Sequence, residues 1–75
     1  MKQIDIKELI PFMKKGWVAM DKDETWLYFT NKPIKYDQYW KPRKNWFIHL
    51  NVLFKIKPVS DWTKSLIKVE NKDEI

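Results

Sequence analysis

The sequence predicts a small α+β domain: one N-terminal helix packed on an antiparallel three-stranded meander, closed by a short C-terminal turn or edge strand. Three observations lead there. Helix punctuation brackets residues 5–16, two apolar runs flank the acidic tetrapeptide DKDE, and apolar residues recur with period two from Trp46 to Ile56. Seventy-five residues make one domain, expected over residues 1–69, with ENKDEI (70–75) as a disordered acidic tail.

Asp5 with Glu8 three residues on fits a capping box, and Ile4 with Leu9 fits a hydrophobic staple. Ile6, Leu9, Ile10 and Met13 fall on one stripe, Lys14 and Lys15 occupy the last turn, and Gly16 stands where a C′ glycine ends a helix. Pro11 opposes this reading, because it lacks an N–H and crowds the carbonyl of Lys7. The helix over residues 5–15 is therefore expected to kink near Ile10 or split there into two short turns.

WVAM, DKDE and TWLYFT read as a β-hairpin, with Trp26, Tyr28 and Thr30 on one face and Leu27 and Phe29 on the other. Glu24 stands where such a loop often needs positive φ, a conformation that suits glycine. Residues 31–45 form a loop anchored by Pro33 and Pro42. In WFIHLNVLFKI, Trp46, Ile48, Leu50, Val52, Phe54 and Ile56 share one face, which predicts a long strand with that face on the core, ended by Pro58. Ser60 or Asp61 caps a short helical turn near Trp62, while LIKV reads equally as an edge strand.

The chemistry that the chain excludes is informative. There is no cysteine, so disulfides and thiolate zinc sites are ruled out, and His49 is the single histidine. Ser60 and Ser65 lie far in sequence from that histidine, which argues against nucleophilic catalysis. One glycine cannot build a phosphate loop. Asp21, Asp23 and Glu24 fail the calcium-loop spacing, since Trp26 falls at its glycine position and Lys32 at its bidentate acid. The expectation is a protein that is not an enzyme and uses no cofactor or metal.

The net charge is +5; the tail is locally −2, leaving +7 on residues 1–69, which favours anionic partners. Fourteen of the fifteen cations are lysine, a pattern that A/T-rich codons also produce, so this charge alone does not identify a partner. No apolar run reaches the length of a membrane span, and MKQIDIKELI lacks the apolar core of a signal peptide, so a cytoplasmic location is expected.

Binding chemistry concentrates in KYDQYWKPRKNW, where aromatic rings alternate with cations. Rings stack on bases and cations take phosphates, so Lys35, Tyr36, Tyr39, Trp40, Lys41, Arg43 and Lys44 form the candidate site for an anionic partner. The competing reading is that Tyr36, Trp40 and Trp46 plug the open side of the sheet; it is preferred for Trp46, at the head of the long apolar face. The binding reading expects Trp40 and Arg43 to tolerate replacement by Ala together without loss of the fold.

GWVAMDKDETWLYFTNKP resembles small proteins encoded by phages and prophages of low-GC bacteria, which carry Trp-Val-Ala-Met-Asp, a short acidic turn, then Trp and an aromatic strand closed by Lys-Pro. DWTKSLIKV is similar to the closing segment of the same group. With the preceding helix, these pieces cover more than half of the chain, which departs from the group at Glu24, where glycine is usual. The resemblance implies a phage-type origin and carries no site residues across. By analogy, short phage proteins without catalytic machinery act by binding: they block a host or immune protein, sequester a nucleotide signal, or coat nucleic acid. A counter-defence or host-modulating antagonist in the host cytoplasm is the expectation. A DNA- or RNA-binding accessory protein and a structural homo-oligomer subunit are the alternatives.

Overall fold

The computed structural model describes residues 3–44 and 46–70. The chain forms a small α+β domain with a short N-terminal helix, a four-stranded antiparallel sheet and a separate two-stranded sheet. Helix α1 (Ile6–Leu9) is capped by Asp5, whose Oδ1 accepts from the Lys7 N–H at 2.9 Å. At Pro11 the α-helix gives way to a 3-10 turn over Ile10–Phe12, the split that the missing donor requires.

Gly16 does not end a helix; it opens strand β1 (Gly16–Met20), and its φ is not positive. Its lack of a side chain serves close approach instead. A Cβ there would lie 2.6 Å from the Phe29 carbonyl oxygen and 2.6 Å from the Tyr28 hydroxyl. That hydroxyl lies 2.9 Å from the Lys15 carbonyl oxygen and 3.1 Å from that of Lys14. It thus ties the end of the helical segment to the sheet.

Strand β2 (Trp26–Phe29) pairs with β1 in the register Trp17↔Phe29 to Met20↔Trp26. The turn between them places Glu24 at φ 70°, the only non-glycine residue with positive φ among those described. The Asp21 N–H donates to the Thr25 carbonyl at 3.0 Å, which sets the phase of the antiparallel ladder. Ala19↔Leu27 and Trp17↔Phe29 then exchange bonds within the hairpin. Trp26 and Tyr28 direct their backbone groups away from β1, and Val18 and Met20 direct theirs away from β2.

β5 (Phe47–His49) pairs with the outer side of β2, and β6 (Ile67–Val69) with the outer side of β1, giving the sheet order β5-β2-β1-β6. Side chains complete the ladder at one end. Asn51 Oδ1 accepts from the Trp26 N–H, and Ser65 Oγ accepts from the Met20 N–H at 2.8 Å. Instead of the expected three-stranded meander the sheet has four strands: the β3–β4 hairpin interrupts the chain between β2 and β5, and β6 adds to the outer side of β1.

The long strand from Trp46 to Ile56 is not formed. β2 begins at Trp26, so a strand running past Leu50 would extend beyond the sheet with no partner for its backbone. The chain turns instead into a 3-10 turn over Leu50–Val52. Leu50 and Ile56 reach the core, whereas Val52 is 80% exposed and Trp46 is half exposed, packing edge-on against Tyr28. His49 is exposed. Ile56 then forms a parallel bridge with Ile4, sealed by bonds of 2.8 Å on each side.

Each face of the sheet has its own cover. Val18, Met20, Trp26 and Tyr28 pack with Ile6, Leu50, Ile56 and Val69 beneath the helical segment. Ala19, Leu27 and Phe29 pack with Trp40 on the opposite face, flanked by Trp17, Trp62 and Leu66. Complete burial of side chains such as Trp26 and Phe29 contributes about 1.5–3 kcal/mol each. The C-terminal segment takes both forms left open by its sequence. Asp61 caps a 3-10 turn over Trp62–Lys64, and β6 follows. Of the acidic tail, Glu70 pairs with Lys68 at 3.2 Å, and residues 71–75 lie outside the described residues.

Candidate binding surface

The stretch expected to be a loop carries a hairpin of its own. β3 (Ile34–Lys35) pairs with β4 (Trp40–Lys41) in the register Ile34↔Lys41 and Lys35↔Trp40. The Tyr36 N–H donates to the Tyr39 carbonyl at 2.8 Å, closing a two-residue turn over Asp37 and Gln38. Hydrogen bonds fasten the hairpin to the turn after β1: the Trp40 N–H donates to Asp21 Oδ1 at 2.8 Å and the Lys22 N–H to the Gln38 carbonyl at 3.2 Å. Arg43 Nε bridges the hairpin's own two ends by donating to the Lys32 carbonyl at 2.8 Å.

Residues directly opposite each other in an antiparallel pair share a face, and this sorts the candidate residues. Lys35 and Trp40 face the sheet. Trp40 is 6% exposed, and its indole N–H lies 3.1 Å from the Met20 carbonyl oxygen and 3.3 Å from that of Trp62. Its expected role as an outward binding ring is therefore corrected: Trp40 covers the second face of the sheet together with Trp62 and Leu66. Lys35 lays its Nζ 5.8 Å from the centre of the Trp62 ring.

Ile34, Tyr36, Tyr39 and Lys41 take the outward face. The two tyrosine rings lie 5.5 Å apart at 37°, both about two-fifths exposed, and Lys41 Nζ stands 5.1 Å from the centre of the Tyr36 ring. Of the seven candidates, the fold thus brings Tyr36, Tyr39 and Lys41 together outward. It buries Trp40, lays the exposed Lys35 beside Trp62, ties Arg43 to backbone, and leaves Lys44 exposed.

A second basic–aromatic cluster lies on the hairpin side of the sheet. Trp17 has Lys32 Nζ at 5.5 Å and Lys68 Nζ at 5.7 Å from its ring centre. The pairing Trp17↔Lys68 places one of these lysines. Sequence reasoning missed this cluster because it had not chosen between helix and strand for residues 66–69. Only the strand register brings Lys68 to Trp17.

Acids border the hairpin tip. A hollow of about 350 Å³ is lined by Asp21, Lys22, Asp23, Gln38 and Tyr39. Burial pushes the Asp21 carboxyl above the usual carboxylate range, and the nearby Asp23 adds to the rise; the Trp40 N–H and the His49 ring oppose it. Asp23 is engaged in its own turn, where its Oδ1 accepts from the Thr25 N–H at 3.0 Å. No group of three or more His, Cys, Asp or Glu side chains suited to a metal gathers among the described residues. Among them, too, no helix is long and apolar enough to cross a membrane. No protein-family model, curated protein or solved structure matches this chain.

Proposed function

We propose that the protein is a phage-type antagonist that captures an anionic partner by binding alone, and that this partner is a nucleotide signal held on the outward face of the β3–β4 hairpin. The observation that carries the reading is the pair of half-exposed rings, Tyr36 and Tyr39, with the Lys41 ammonium 5.1 Å from the centre of the Tyr36 ring. A base stacks on such a ring, gaining about 1–3 kcal/mol, while the ammonium takes a phosphate. The bonds that fasten the hairpin reduce the ordering cost of binding, because the rings and the cation are already in place. The lysines over Trp17 and Trp62 extend the positive field on the hairpin side and would steer an anion toward it.

Titration with ribonucleotides, from ATP to cyclic dinucleotides, followed by intrinsic fluorescence, tests this reading. Saturable binding by the native protein is expected, together with about a 5- to 150-fold loss of affinity in Tyr39→Ala at unchanged circular dichroism. Absence of binding across the set refutes the nucleotide reading. Mobility shifts with single-stranded DNA and RNA separate the nucleic-acid alternative, whose affinity must fall log-linearly with salt.

A further inference from the structure

We infer that the protein forms a two-fold symmetric dimer through β5, with the sheet continuing across the interface into a second copy of the chain. The two edges of the four-stranded sheet differ in character. β6 carries Lys68 in an ion pair with Glu70, and a charged edge of this kind resists pairing with another strand. β5 carries Phe47, Ile48 and His49 and lies within residues 45–54, the longest run of the sequence without a Lys, Arg, Asp or Glu. In a chain one-third charged, with a net charge of +5, two copies repel each other least where they meet along this run.

The backbone of this edge is self-complementary. The ladder phase that directs Tyr28 toward β5 makes Tyr28↔Ile48 the bonded pair, so Phe47 and His49 turn their N–H and C=O groups outward. The His49 carbonyl already accepts the first bond of the 3-10 turn over Leu50–Val52, whereas the Phe47 N–H and C=O and the His49 N–H face away from β2. A second β5 laid antiparallel, with Ile48 opposite its own copy, pairs Phe47 with His49 of the partner and the reverse: each His49 N–H donates to the opposite Phe47 carbonyl, and each Phe47 N–H shares the opposite His49 carbonyl with the turn.

The side chains supply an apolar contact around that seam. Trp46, Phe47, Ile48, Val52, Leu53 and Phe54 are each between 37% and 80% exposed. Together they form the uncharged apolar surface that a second copy covers. A groove of about 500 Å³, lined among others by Met13, Tyr28, Trp46, Ile48 and Leu53, lies along β5 and receives side chains of the second copy. The two-fold axis runs perpendicular to the sheet, so both β3–β4 hairpins fall on the same side of the eight-stranded sheet. The dimer is then bivalent for anionic partners. This inference does not depend on the proposed nucleotide reading, and its test does not involve that site.

Sedimentation equilibrium from about 1 μM to about 1 mM protein reads the association directly. The native chain is expected to reach about 18.6 kDa, twice its 9.3 kDa. His49→Pro removes one outward donor at a residue whose φ of −79° already suits proline. Ile48→Lys places a charge at the centre of the seam. Both variants are expected to remain at 9.3 kDa with unchanged circular dichroism. Hydrogen exchange on the native protein provides a reading independent of any variant: the Phe47 and His49 amides should slow as concentration rises. A native chain that stays monomeric throughout overturns the inference. So does a dimer that survives both substitutions, or exchange at Phe47 and His49 that ignores concentration.

Discussion

Replacing Trp40 by Ala should unfold much of the protein. The ring is 6% exposed and packs with Ala19, Leu27 and Phe29, and truncation of a buried aromatic costs about 3–5 kcal/mol. Hydrogen bonding adds little to this. The indole N–H shares the Met20 and Trp62 carbonyl oxygens with Ser65, whose hydroxyl reaches both and whose N–H donates to that of Trp62 at 3.2 Å, so each oxygen keeps a donor when the indole is lost. A domain of this length has on the order of 4–11 kcal/mol in total. Urea titration by far-UV circular dichroism should therefore show a fractional or absent transition for Trp40→Ala. Trp40→Phe, which keeps most of the ring but removes the donor, should retain a cooperative transition at a lower midpoint. If Trp40→Ala unfolds within about 0.5 kcal/mol of the native chain, the ring is not part of the core and the assignment of the hairpin's inner face is wrong.

Other perturbations probe single features. Gly16→Ala drives a methyl group into the Phe29 carbonyl and the Tyr28 hydroxyl and should cost about 1–3 kcal/mol by thermal melting. Asn51→Ala takes the partner from the Trp26 N–H at the edge of the core and should cost about 1–3 kcal/mol by the same assay. Glu24→Gly relieves a side chain at φ 70° and should raise stability by about 0.5–1 kcal/mol, read as a higher urea midpoint. Asp21 has a raised pKa in the folded state, so folding favours its protonated form and stability from this group falls as pH rises through that pKa. Asp21→Asn keeps an acceptor for the Trp40 N–H and removes the charge. It should stabilise the protein at neutral pH, with the difference vanishing in acid below the carboxylate range.

Much of the fold was legible in local chemistry. Asp5 and Asp61 were readable as caps, Pro11 as the point where the helix divides, and Glu24 as a strained turn residue, because each acts on its immediate neighbours. The faces of β2 followed from alternation alone. The run from Trp46 to Ile56 misled for a physical reason: period two reports which residues could share a face, not where the partner strand ends. That limit is set by Trp26, twenty residues earlier. Two-residue strands such as β3 and β4 carry no period, so the inward turn of Trp40 could not be seen. The rings and cations of the candidate site were visible as residue types; their division into an inner and an outer face came from the register.

The most direct test of the account is binding of the ribonucleotide set to the native protein and to a Tyr39→Ala/Lys41→Ala variant at low and moderate salt. Saturable binding that weakens with salt and disappears in the variant, with both proteins equally folded, is the expected result. Equal binding by the two proteins, or none by the native one, contradicts the claim that the outward face of the hairpin receives a nucleotide.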